Sequence, residues 1–328
     1  MPIDCHAHWI PRAVAESLRK RRAVPRIEQT PQGEMFVTWQ GRRPFAPLAD
    51  LDSRLELMDR HRVTIQVLSL AGLFGIDCLA IEESLPLVTA FNDAVAAVQR
   101  SYPQRFAAIA ALPLADVGLA CRELARAHTL GLRGAILQAD GFASLASAER
   151  FRPVFATGDR LHSHFFIHPG PIEPQPERQL RGIRDDNAWQ RRIVLETQAR
   201  LSEVVVTLDL SDFLESFPHV TVQIANLGGA IPFLIERMDA VHRDHASDEL
   251  LPSERLRRCY VDTASFGPRS IEMAVACFGA DRVLLGTDCP IFDTNSMLRS
   301  VSNARLDAEA RNLLLDGNAR RLFFEPSA

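Results

Sequence analysis

The run Ile3-Asp4-Cys5-His6-Ala7-His8-Trp9 decides the fold of this 328-residue chain. Its first six residues alternate as a short strand does, and His6 and His8, two apart, fall on one face of it. An open, doubly wound sheet would place a glycine-rich phosphate loop directly after its first strand. His-Ala-His-Trp stands there instead. Working outward, apolar or β-branched runs recur at Val63–Leu70, Phe106–Leu112, Gly134–Gln138, Phe165–His168, Val220–Asn226, Cys259–Thr263 and Arg282–Asp288. Between them lie stretches with helical spacing, among them Asp52–Asp59, Glu83–Val98 and Asp116–His128, the last closed by Gly131. Eight such alternations predict a single α/β domain over residues 1–328, a distorted (β/α)8 TIM barrel with its site at the strand C-termini. The doubly wound sheet is the competing architecture.

Composition narrows the functional classes. Hydrophobic residues make up 47% and charged residues 24%, enough apolar surface for one large core. Lys+Arg of 37 against Asp+Glu of 41 leaves a net charge of −4, which gives no basis for binding nucleic acid or an anionic membrane. Of the 37 basic residues only Lys20 is lysine. No apolar run reaches the roughly 18 residues needed to cross a bilayer, and no basic and apolar leader precedes the first strand. The six cysteines (5, 78, 121, 259, 277 and 289) form no CxxC pair, which predicts reduced thiols and a cytoplasmic protein. Two connections, 21–50 and 169–186, are long for α/β loops. They are expected to be lids, substrate loops or surface decoration.

The chemistry gathers at strand ends. His6 and His8 close the first strand, His168 closes Phe165–His168, and Asp288 closes Arg282–Asp288. A histidine and an aspartate ending apolar strands have no packing motive, and a buried carboxylate requires a cation. Three imidazoles and a carboxylate suit one divalent ion of borderline character, with Zn2+ first and Mn2+ or Fe2+ as alternatives. His164 shares a face with His168 but sits four residues, or about 13 Å, deeper, as a core residue. Trp9 and Phe74 are candidates for an apolar pocket wall, or for plain core packing. Asp262 either reaches the site or caps the segment that follows it.

Seven segments together resemble the amidohydrolase superfamily, in the branch of aminocarboxymuconate-semialdehyde decarboxylase. They are Asp4–His8, Leu55–Gln66, Tyr102–Phe106, Phe166–Pro169, Leu227–Pro232, Gly286–Pro290 and Gly317–Phe323, in family order along nearly the whole chain. The resemblance implies a distorted TIM barrel, one divalent metal held by His6, His8, His168 and Asp288, and a homodimer. It also implies that Arg42 or Arg43, in the first long connection, grips a substrate carboxylate, a task suited to a planar guanidinium. One position departs from the pattern. The branch carries an acid/base histidine before Leu-Gly-Gly, whereas this chain has Asn226, which exchanges no proton near neutral pH. Either Asp288 is the proton carrier with Asn226 orienting, or the chemistry needs no base there, or the protein depends on a partner.

Three functions are therefore in play. The first is metal-dependent, non-oxidative decarboxylation of a small aromatic or unsaturated carboxylic acid. The second is hydrolysis of a lactone, amide or ester by metal-activated water, and the third is a non-catalytic or partner-dependent barrel. Lys20 lies far from the fourth strand, which reads Gly-Ala-Ile-Leu-Gln, so a metal pair bridged by a carboxylated lysine is excluded.

Overall fold

Eight parallel strands form a closed ring whose C-terminal ends carry all the residues singled out above as metal ligands. The computed structural model describes residues 2–176, 187–245, 249–264 and 266–325. Its strands are β1 (Ile3–His8), β2 (Arg26–Thr30), β3 (Gly33–Thr38), β4 (Gly41–Pro44), β5 (Ile65–Ser69), β6 (Phe106–Ala108), β7 (Gly134–Gln138), β8 (His164–His168), β9 (Thr221–Ile224), β10 (Cys259–Asp262) and β11 (Val283–Leu284). Parallel pairing gives one arc of β1-β5-β6 and a second of β7-β8-β9-β10-β11. Two parallel bridges, Ala110 to Ala135 and Ala7 to Cys289, join the arcs at both seams. Backbone bonds tighten the seams: Ala110 N–H to Gly134 O at 2.8 Å, Cys5 N–H to Leu285 O at 2.8 Å and His8 N–H to Cys289 O at 2.7 Å. The (β/α)8 barrel is the fold that the sequence predicts.

The last barrel strand is shorter than the expected Arg282–Asp288. After Leu284 the chain bonds in turn to different neighbours: Leu285 N–H to Leu314 O, then Asp288 N–H to His6 O. Asp288 sits at φ 55, in left-handed backbone that aspartate tolerates better than most side chains. The strand thus breaks up where its carboxylate must turn inward.

The connection over 21–50 is more ordered than a loop, because β2, β3 and β4 form a separate antiparallel sheet. The sequence carries the signal twice, as Thr30-Pro31-Gln32-Gly33 and Thr38-Trp39-Gln40-Gly41. In each turn the threonine hydroxyl accepts from the N–H two residues on and donates to the glycine carbonyl, 2.8 Å away in the first and 3.4 Å in the second. Gly33 and Gly41 take φ 110 and 147, open to glycine and costly for other residues. Ile27 pairs with Phe36 across β2 and β3, and both are buried. Of the second long connection, residues 177–186 lie outside the described residues.

The helices obey local rules. Asp50 caps Leu51–His61 by accepting from Ser53 N–H at 3.1 Å, and Asp116 caps Val117–Thr129 by accepting from Leu119 N–H at 2.8 Å. The core fills the barrel and the layer beneath its helices, with Phe36, Phe74, Phe155, Phe165 and Phe166 fully buried. Among the described residues no helix is long and apolar enough to cross a membrane.

Candidate metal centre

At the barrel mouth His6, His8, His168 and Asp288 converge, with one ligand atom from each within 4.8 Å of all the others. Strand alternation brings His6 and His8 inward together. Nε2 of His6 lies 3.1 Å from Nε2 of His8, and Oδ1 of Asp288 lies 3.5 Å and 3.1 Å from these two nitrogens. The His168 ring stands edge-on to both, with centroids at 5.1 and 4.8 Å.

Each imidazole is tethered through its other nitrogen. Nδ1 of His6 meets Asp262 Oδ1 at 3.1 Å, Nδ1 of His8 meets Ser69 Oγ at 3.0 Å, and Nδ1 of His168 donates to Pro169 O at 2.7 Å. Protons held on Nδ1 leave three Nε2 lone pairs facing one another and a carboxylate. Oδ1 of Asp288 is buried and accepts no hydrogen bond. Four acceptors aimed at one point repel each other unless a cation sits between them, so the residues present fit a divalent ion.

The electrostatics are consistent with this. Burial disfavours protonated His6, but Asp262 and Asp288 outweigh it and push the ring up to about 9. Burial, then the charge on neighbouring rings, holds His8 and His168 well below the usual imidazole range. Burial raises the Asp288 carboxyl above its ordinary value, against His6, His168 and Arg43. Burial also acts to raise Asp262, yet His6 and the donors around it leave that carboxyl below its ordinary value.

The other sequence candidates separate. Arg43 and Arg42 are adjacent in β4 and therefore face opposite ways. Arg43 is half-buried and interacts electrostatically with Asp288 and His8. Arg42 is half exposed and pairs with Glu28 at 2.8 Å, which takes it away from the centre. Phe74 is buried, edge-on to His8 at 6.0 Å and to Phe36 at 5.0 Å. Trp9 is buried and donates from Nε1 to Ala49 O at 3.0 Å, a packing role. Asn226 takes φ 55, its backbone N–H reaches Asp262 Oδ1 at 3.3 Å, and its buried Oδ1 has no donor.

Sequence reasoning missed Ser69, Phe36, Gln223 and Arg54. Arg54 is buried in the helix after the first long connection and donates to His8 O at 2.6 Å, fixing the end of β1 from behind. Asp262 proves to reach the site. Its position at the end of a barrel strand was the available signal, and its partner could not be read from spacing.

A closed (β/α)8 barrel with a histidine- and aspartate-rich candidate metal centre at its C-terminal mouth defines the class. The chain belongs to the amidohydrolase family, whose model matches residues 3–324. It is 30% identical over 295 residues to gamma-resorcylate decarboxylase of Rhizobium radiobacter, covering 83% of this chain and 86% of that one. It is 25% identical over 252 residues to 2-amino-3-carboxymuconate-6-semialdehyde decarboxylase of Dictyostelium discoideum, covering 74% and 67%. Among solved structures, dihydroxybenzoic acid decarboxylase of Polaromonas, with bound manganese and an inhibitor, shares the fold with a TM-score of 0.71. That match is at 21% identity and covers 98% of this chain and 96% of the other.

Proposed function

We propose that this protein is a metal-dependent carboxy-lyase that removes CO2, without an oxidant, from a small aromatic or unsaturated carboxylic acid. The observation that carries the reading is the convergence of His6, His8, His168 and Asp288, with the half-buried Arg43 acting on Asp288 electrostatically. Its support from relatives is the decarboxylase activity named for the proteins of Rhizobium and Dictyostelium. His6, His8, His168 and Asp288 would hold one divalent ion, which supplies Lewis acidity toward oxygens of the acid. Manganese accompanies the Polaromonas structure, and the same donor set accepts zinc or iron.

The chain's own residues then divide the work. Arg43 binds and orients the carboxylate by charge and planar geometry. Phe74, edge-on to His8 and backed by Phe36, gives one wall of the site an apolar side that suits a flat ring. Asn226 offers its free Oδ1 to a substrate hydroxyl or a water. The bond from ring carbon to carboxylate breaks, CO2 leaves, and the electron pair stays on carbon. Asp288, whose carboxyl burial holds above its ordinary value, relays a proton from solvent to that carbon. Asn226, in place of a titrating group, leaves Asp288 as the acid.

The protein is also read as a homodimer in the cytoplasm. Exposed Val194 and Leu195 on helix Trp189–Leu208 and Phe233 on helix Ile231–His245 support the first, and six free cysteines the second. Light scattering behind size exclusion and cell fractionation check them. Activity is tested by CO2 release from hydroxybenzoic acids, including gamma-resorcylate, by the Mn2+-loaded protein. Release that depends on metal supports the reading, and none from any acid overturns it.

A further inference from the structure

Behind the ligands a row of buried polar side chains crosses the barrel interior, and the reaction just described leaves it unused. Its polarity follows from one fact, that ionised Asp262 can only accept. Oδ1 of Asp262 accepts from His6 Nδ1 at 3.1 Å and from Ala264 N–H at 3.0 Å, while Oδ2 accepts from Gln223 Nε2 at 2.7 Å. An amide with its nitrogen toward Asp262 turns Oε1 the other way, where it lies 3.3 Å from Nε2 of His164. His164 must then carry its proton on Nε2, so its Nδ1 accepts from the Thr221 hydroxyl at 2.9 Å. The second N–H of Gln223 points at Cys5 O, 3.4 Å away. The opposite tautomer of His164 would turn Gln223 Oε1 against a carboxylate oxygen.

Every member of the row thus has one role, and His164, Gln223 and Asp262 are all at least 98% buried. A fully satisfied buried network of this kind specifies one arrangement, and each broken link leaves an expensive orphan. Apolar side chains would fill the same space without such a risk, so the row calls for a purpose beyond packing.

We propose that Gln223 and His164 are positioning residues for His6. They lock the Asp262 carboxylate so that His6 keeps its proton on Nδ1 and presents the Nε2 lone pair to the ion. The inference rests on the metal centre proposed above. Loss of outer partners of ligating histidines typically weakens metal binding about 10–100-fold. Mn2+ titration, followed by the resonance of the free ion, should show that loss in Gln223→Leu and a loss in the same direction in His164→Leu. His164→Gln keeps a donor within reach of Gln223 and should restore binding. Circular dichroism and thermal melting establish that the variants fold. Nitrogen-15 spectra of the parent histidines give a check free of substitution, since His164 should be the Nε2–H tautomer. A folded Gln223→Leu protein with parental Mn2+ affinity, or the Nδ1–H tautomer at His164, overturns the proposal. A parent that binds no Mn2+ refutes the metal centre itself, whereas parental binding with unaffected variants refutes only the role of the row.

Discussion

Oδ1 of Asp288 lies 3.1 Å from Nε2 of His8, buried and without a hydrogen-bond donor. A carboxylate in that position has two uses, to complete the metal site and to relay a proton to the substrate carbon. Asp288→Asn keeps the shape and removes both. The variant should lose at least about 100-fold in kcat, within the range for a lost general acid. Its metal content should also fall, and both are read by CO2 assay and elemental analysis.

Ser69 acts on the same site from one step away. Its hydroxyl meets His8 Nδ1 at 3.0 Å and also donates to Ala7 O at 3.2 Å. Ser69→Ala should weaken Mn2+ binding about 10-fold while leaving the fold intact. Titration of apo protein beside a melting curve separates the two effects.

Adjacent arginines should differ sharply. A charged hydrogen bond contributes about 1.5–3 kcal/mol, so Arg43→Ala should raise KM roughly 10–100-fold with a smaller change in kcat. Arg42→Ala breaks only the half-exposed pair with Glu28 and should leave KM within about twofold. Equal effects from the two variants would remove Arg43 from the site.

Stability should fall as pH rises through the acidic range. Burial pushes the Asp77 carboxyl up to about 7 from an ordinary 3.8, against its bond from Gln138 Nε2. The folded state therefore holds a proton that the unfolded chain releases near pH 4. That contribution is complete below pH 4 and is lost between about pH 4 and 7. Asp77→Asn removes the ionisation, so its thermal midpoint should decline less across this window, by a few degrees. Melting curves at pH 4.5 and 7.5 check the sign.

Much of this was legible in the sequence because it depends on short-range rules. Strand period brought His6 and His8 to one face, and the positions of His168 and Asp288 at strand ends placed them at one mouth. The β2–β4 sheet escaped because Pro, Arg and Gln dilute its alternation, although two Thr-x-Gln-Gly turns mark it. Asp262 and Ser69 could be tied to His6 and His8 only once the barrel had closed, since 256 and 61 residues separate the pairs. Arg42 and Arg43 looked equivalent until their strand gave them opposite faces.

The central claim is metal-dependent loss of CO2 with protonation of the same carbon. Mn2+-loaded protein in D2O should be given carboxyl-labelled hydroxybenzoic acids and followed by NMR and mass spectrometry. The account predicts labelled CO2, one deuterium at the carbon that carried it, and no product after metal is stripped. Stoichiometric metal with every acid returned intact, or turnover undiminished in the stripped protein, would contradict it.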